Sequence, residues 1–177
     1  RANMQAYLTR LDELEREVRQ AVARIPENRR KVLSTHDAFG YLAAAYAITG
    51  RAAYAEMVEE HLGDWWKRNP LGRGPHWISG IEVGIRLISW VWTRRLLAGW
   101  PGVEALFDLN PDFHSQLAWH QWYLARFRSR GSSANNHLLA EAAGQFVAAT
   151  ACPWFPQSAA WAAQARKVLE REAVTQT

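Results

Sequence analysis

The sequence predicts an all-α protein. Apolar residues recur at steps of three and four along successive segments, and proline or glycine stands at the ends of those segments. No run alternates apolar and polar residues long enough for a half-buried strand. A long N-terminal helix comes first. Tyr7, Leu11, Leu14, Val18, Val22 and Ile25 form its apolar face, and Pro26 closes it. Asp12, Glu13, Glu15, Arg16, Glu17 and Arg19 make a solvated face with intrahelical pairs, which needs no partner.

After the polar link PENRRK, Ser34 or Thr35 is placed to cap an alanine-rich helix that Gly50 stops. The next helix runs from about Arg51 to Arg68 and ends at Asn69-Pro70, because a residue before proline avoids the helical region. NPLGRGPHW is then a loop. From Ile78 to about Ala98, Ile81, Ile85, Ile88 and Trp92 mark one helical face, and Gly99 to Gly102 break the run. Asn110-Pro111 reads as a cap followed by a first-turn proline, opening a helix through Arg128. SRGSSAN leads into NNHLLAEAAGQFVAATA, and CPWFPQ separates that helix from a last one over about Ser158 to Glu172. Short links between six or seven helices predict stacked helical hairpins. The chain shows no sequence repeat of fixed period.

A chain of 177 residues suits one domain, or one domain with a short piece attached. With 49% hydrophobic and 21% charged residues it is globular in composition, which excludes a disordered chain. The net charge of +4 favours an anionic partner without choosing among nucleic acid, acidic polysaccharide and membrane surface. A single cysteine, Cys152, excludes an intramolecular disulfide and gives no sign of a zinc cluster. Charges at Glu82, Arg86, Arg94 and Arg95 rule out a membrane span over Ile78 to Leu97. The opening RANMQAYLTR has no apolar signal core and no initiating methionine, which suggests a longer precursor. All ten tryptophans lie from Trp65 onward, so composition shifts along the chain.

Four constellations could carry chemistry. Asn135-Asn136-His137 opens a helix, with Glu141 four residues on and on the same face as His137. Free backbone N–H groups and the positive end of the helix dipole would favour a substrate carboxylate beside Asn136, and a histidine exchanges protons near neutral pH. Alternatively Asn135 or Asn136 caps the helix and His137 is a satisfied polar residue. In HWISGIEVGIRLISWVW, Glu82 and Arg86 sit four apart, so they pair structurally or line a groove. Trp65, Trp66, Trp77, Trp119, Trp122 and Tyr123 stand beside Arg126, Arg128 and Arg130, a set suited to stacking on sugars or bases, although most tryptophans at helical spacing are core. His36-Asp37 falls short of the three or four ligands of a metal site.

Two family resemblances meet in the chain. YLTRLDELEREVRQAVARIPENRRKVLSTHDAFGYLAAAY, within residues 1–45, resembles the middle of the metal-binding lipoproteins that serve zinc and manganese ABC importers. In them a histidine of a THDAFGYF-like motif ligates the metal, which implies a role for His36. The other ligands and both lobes of that fold have no counterpart here, so His36 is a weak candidate.

From AYAITGRAAYAEMVEEHLGDWWKRNP onward the chain resembles the helical toroid of heparinase II/III type and alginate-lyase-like enzymes. WWKRNP, W-x-S-G-I-E-V-G-I-R-L-I-S-W and S-S-A-N-N-H-L-L-A-E-A-A-G carry the likeness, with His76 where an asparagine is common. The resemblance implies residues 1–49 as an N-terminal helical segment and residues 50–177 as an incomplete (α/α) toroid. It also implies β-elimination on a uronate polysaccharide, with Asn136 neutralising the carboxylate and His137 serving as base or assisting it. Trp77, Glu82, Arg86, Asn135 and Glu141 become candidate substrate-binding residues.

No cofactor is called for. The family's tyrosine and a histidine from a β-sandwich have no counterpart after Tyr123, so the isolated chain is expected to be weakly active or inactive. A periplasmic or secreted location and self-association through uncovered helix faces follow as further expectations. Two rivals stand beside this reading: a non-catalytic helical module binding carbohydrate, protein or nucleic acid, and a metal-binding fragment acting through His36.

Overall fold

The computed structural model describes residues 38–131 and 134–175. The chain divides into two compact units, Arg1–Ser34 and Thr35–Thr177, and every described residue belongs to the second. The predicted N-terminal helix, the Ser34 or Thr35 cap and His36 lie outside the described residues.

Six α-helices are described: α1 Ala38–Thr49, α2 Ala52–Arg68, α3 Gly80–Leu96, α4 Pro111–Arg126, α5 Asn135–Ala151 and α6 Ser158–Thr175. Among the described residues there is no strand, and the all-α prediction stands. Gly50 stops α1 as expected, at φ 66°, with its N–H donating to the Tyr46 carbonyl at 2.7 Å. That left-handed backbone is what favours glycine after a helix. Asn110 caps α4 as read from sequence: its Oδ1 accepts from the N–H groups of Asp112 (2.9 Å) and Phe113 (3.3 Å), and Pro111 fills the first turn.

The sequence missed a short π-helical turn at Glu104–Asp108. It is held to α3 by a two-pronged ion pair, Arg94 Nε to Asp108 Oδ1 at 2.7 Å and Nη2 to Oδ2 at 2.6 Å. The bond to Asp108 raises the Arg94 pKa above its usual value. A 3₁₀ turn at Pro75–Trp77 also interrupts the predicted loop.

Helix α3 is the central element, packed against α1, α4 and α5, while α1 pairs with α2 and α5 with α6. Its buried residues are Val83, Gly84, Arg86, Leu87, Ser89, Trp90, Val91 and Thr93. This corrects the face expected from sequence: Ile81, Ile85 and Ile88 are only half-buried and Trp92 is exposed. A helix with neighbours on several sides buries most of its circumference, so its most apolar stripe need not be its most enclosed one.

The core is aromatic. Trp66, Trp90, Phe107 and Phe113 meet edge-to-face or tilted, at centroid distances from 5.0 to 6.5 Å. Such rings gain a little beyond the area they bury. Of the ten tryptophans, Trp65, Trp66, Trp77, Trp90 and Trp100 are buried, whereas Trp92, Trp119, Trp122 and Trp154 are exposed.

Helices α3 and α5 approach most closely through glycine. A Cβ on Gly144 would fall on the backbone of Gly84, and one on Gly84 would press on the Ala140 carbonyl. One turn earlier, a Cβ on Gly80 would overlap the Glu141 carboxylate. Three glycines inside helices lower intrinsic helix stability, and this contact is what requires them.

Candidate functional site

The predicted site residues fall into two groups. Asn135, Asn136 and His137 form the first turn of α5, where Asn135 and Asn136 are exposed and His137 is half-buried. The helix begins after Ala134, with no side-chain cap. Neither asparagine is the N-cap, which corrects the capping alternative. Among the described residues, neither side chain makes a hydrogen bond. Ala134, just before the turn, is itself helical, with its N–H donating to the Gly131 carbonyl at 3.0 Å, and the positive end of the α5 dipole favours an anion here.

Glu141, one turn further, is fully buried. Its carboxylate accepts from the Ser129 N–H at 2.8 Å and the Ser129 hydroxyl at 2.6 Å. The expectation that Glu141 lies near His137 holds by helical spacing, but its oxygens are turned to Ser129. It ties Ser129, in the link that follows α4, to α5. Arg128 anchors the same segment, its Nη2 bonding the Gln145 side chain and its Nε the Leu124 carbonyl at 3.0 Å.

The second group surrounds Arg86. Its guanidinium is almost fully buried, with Nη1 2.9 Å from His120 Nε2, Nη2 donating to the His76 carbonyl at 3.1 Å, and the cation 4.8 Å from the Trp65 ring centroid. Burial lowers the Arg86 pKa to about 10, opposed by the negative charge of Glu82. His120 lies between Trp77 and Trp90, with ring centroids 4.5 and 4.7 Å away, and its Nδ1 is 2.6 Å from the Gln116 carbonyl. Gln116 continues the chain by donating to the Asn69 carbonyl at 3.1 Å. Asn69, in turn, donates through Nδ2 to the Trp65 carbonyl at 2.8 Å. This network ties the end of α2, the following loop, α3 and α4 together.

Trp77 and Arg86, proposed from sequence as groove members, are interior in this structure. Glu82 is half-buried in the first turn of α3. Glu141 packs against Gly80 at the start of α3, and Tyr123 lies close enough to feel the Glu141 charge. Its ring contacts Trp77 and Phe127, and burial together with the Glu141 charge raises its pKa.

Sequence reasoning missed His120, Gln116 and Ser129. The four-residue spacing of Gln116 and His120 was visible, but nothing local pointed to Arg86 or to Glu141. Cys152 is no candidate nucleophile: it is buried, and burial pushes its thiol up to about 11. Among the described residues no group of three or more His, Cys, Asp and Glu side chains is placed to hold a metal. No described helix is long and apolar enough to cross a membrane.

Comparison with known proteins adds two findings. Residues 1–62 match the family described as ZnuA, zinc-uptake complex component A, periplasmic. Among solved structures, the chain is similar to a heparinase III gene product, with a TM-score of 0.62 and 24% sequence identity. That match covers 86% of this chain and 26% of the heparinase, so the chain spans about a quarter of that protein's length. The likeness is one of fold, an all-α arrangement in keeping with part of a helical toroid.

Proposed function

We propose that this chain is the carbohydrate-directed helical part of a polysaccharide lyase that acts on uronate-containing chains by β-elimination. The observation that carries the reading is the first turn of α5, where Asn135 and Asn136 are exposed, are not spent on capping, and stand beside His137. The fold shared with part of a heparinase III supports it.

In β-elimination the C5 proton leaves as the bond from C4 to its oxygen breaks, giving a C4–C5 double bond conjugated with the C6 carboxylate. Charge grows on that carboxylate as the proton leaves. The Asn136 side-chain amide, with the positive end of the α5 dipole, would stabilise it there. His137, next in the chain, would accept the C5 proton or assist the group that does. Glu141 and Ser129 would hold the segment before α5 in place, and the Arg86 network would fix the loop carrying His76 and Trp77. Departure of the C4 oxygen needs a proton donor, a task this proposal gives to no residue of the chain, and turnover by the chain alone is expected to be slow.

The test is calorimetric titration with uronate oligomers, repeated on Asn136→Ala and His137→Ala. The reading expects both variants to bind at least several-fold more weakly and a neutral oligomer of equal length to bind poorly. Undiminished affinity in both variants would sink it. Metal capture through His36, the second reading, has the family match over residues 1–62 in its favour; it expects zinc binding that disappears in His36→Ala.

A further inference from the structure

Two tryptophans, an arginine and a phenylalanine line the outward side of α4 and its end. Trp119, Trp122 and Arg126 follow at steps of three and four, so they share one helical face, and Phe127 closes the row. All four are exposed, Trp119 at 43%, Trp122 at 37% and Phe127 at 55%. The opposite side of α4 carries the buried Phe113, Gln116, Leu117, His120, Gln121 and Leu124, so the exposed rings are not needed for the core. They cluster instead with one another: Trp119 and Trp122 are 5.1 Å apart and Trp122 and Phe127 5.8 Å, both edge-to-face, and the Arg126 cation lies 5.5 Å from the Trp122 ring. A contiguous exposed aromatic patch on a helix marks a contact surface more often than chance exposure does.

Its charge identifies the partner. No acidic residue occurs between Asp112 and Glu141, while Arg126, Arg128 and Arg130 fall inside that stretch. Glu141 is itself buried against Ser129, and the Arg128 guanidinium is turned to Gln145. Arg126, exposed and set against the Trp122 ring, is therefore the cation the row presents, and the exposed Arg130 follows four residues on in the link after α4. Aromatic rings beside guanidinium groups fit a ligand with flat C–H faces and regularly spaced anions, which describes an acidic polysaccharide.

The row also ends close along the chain to the proposed site. Only residues 127–134 separate α4 from α5, and two hydrogen bonds hold Ser129 against Glu141, in the second turn of α5. From Trp119 to Phe127 the row covers about 12 Å of helix, at the rise of ~1.5 Å per residue, long enough for more than one sugar ring. We infer that Trp119, Trp122, Arg126 and Phe127 form a stacking subsite for an acidic polysaccharide, through which a chain reaching the first turn of α5 continues outward. The inference rests on the carbohydrate reading above and adds a subsite to it.

The experiment measures affinity for a uronate disaccharide and for a longer uronate oligomer by calorimetry. It compares the native chain with Trp119→Ala/Trp122→Ala, with Arg126→Gln and with His137→Ala. The subsite predicts that the double variant binds the longer oligomer at least roughly tenfold more weakly, the scale of a lost stacking contact. Its disaccharide affinity stays unchanged, and Arg126→Gln, which keeps every ring, shows a smaller loss in the same direction. Equal affinity of native and double variant for the longer oligomer overturns the subsite. A concentration-dependent dimer that the double variant abolishes overturns it in favour of a second copy of the chain as occupant. Tighter binding of single-stranded nucleic acid than of uronate, lost in the double variant, overturns it in favour of nucleic acid. Should His137→Ala leave both affinities unchanged while the double variant weakens the longer oligomer, the α5 reading fails and the subsite stands.

Discussion

Arg86 and His120 meet inside the helical unit with guanidinium Nη1 2.9 Å from imidazole Nε2. An arginine has only donors, so His120 Nε2 must accept, and the ring proton lies on Nδ1, which donates to the Gln116 carbonyl at 2.6 Å. The fold therefore selects a neutral His120 in one tautomer. A protonated ring would set two cations against each other where water cannot screen them.

This sets a pH dependence with a defined sign. Burial, and after it Arg86, hold His120 well below the usual histidine range, with the Gln116 bond opposing them in part. Burial and Arg86 lower His76 in the same sense, opposed by Glu82. Free histidine in the unfolded chain titrates near ~6.5, so below that pH the unfolded state binds more protons than the folded one. The stability due to neutral His120 is complete above the unfolded value and is lost as pH falls toward the folded value. Urea unfolding between about pH 8 and about pH 5 is expected to show stability falling by up to ~1.4 kcal/mol per pH unit for one such group. The fall should be smaller in His120→Gln, and an equal slope in the two proteins would contradict the arrangement.

The α3–α5 contact gives a second expectation. An added methyl at Gly144 meets the Gly84 backbone, which cannot turn aside as a long side chain would. Gly144→Ala should destabilise the protein by about 1–3 kcal/mol, the usual cost of overpacking, despite the better helix propensity of alanine. Thermal melting reads this out. Gly63→Ala, at a site where a Cβ would meet nothing within 4 Å, should raise the melting temperature instead.

Glu141 supplies a third. Removing its carboxylate leaves the Ser129 N–H and hydroxyl without their acceptor, and hydrogen bonds to a charged group contribute about 1.5–3 kcal/mol each. Glu141→Ala should lower stability on that scale, and amide exchange at Ser129 and Arg130 should quicken more than exchange in the α3 core. Uniform acceleration would mean that Glu141 supports the whole unit and not this segment.

What could be read from the sequence follows from where each interaction lies along the chain. The Asn110 cap, the Gly50 stop and the helix order rest on neighbouring residues, and they were legible. The π-turn at Glu104–Asp108 depends on Arg94, ten residues upstream of it at the nearest, so no local pattern announced it. The buried face of α3 was misread because Arg86, Ser89 and Thr93 are enclosed, and a buried arginine is intelligible only once His120 and Trp65 have come to it. The candidate site shows the same division. Asn135, Asn136 and His137 were visible as a motif, whereas Ser129 acquired meaning only when folding brought it against Glu141.

The central claim, that a uronate binds at the opening of α5, is tested most directly by nuclear magnetic resonance of the isotope-labelled chain during titration with a uronate oligomer. The account predicts that the backbone amides of Asn135, Asn136 and His137 and the His137 ring signals shift together with ligand concentration, and that Asn136→Ala weakens the response. Shifts that leave these three residues unmoved while the oligomer binds elsewhere would contradict it.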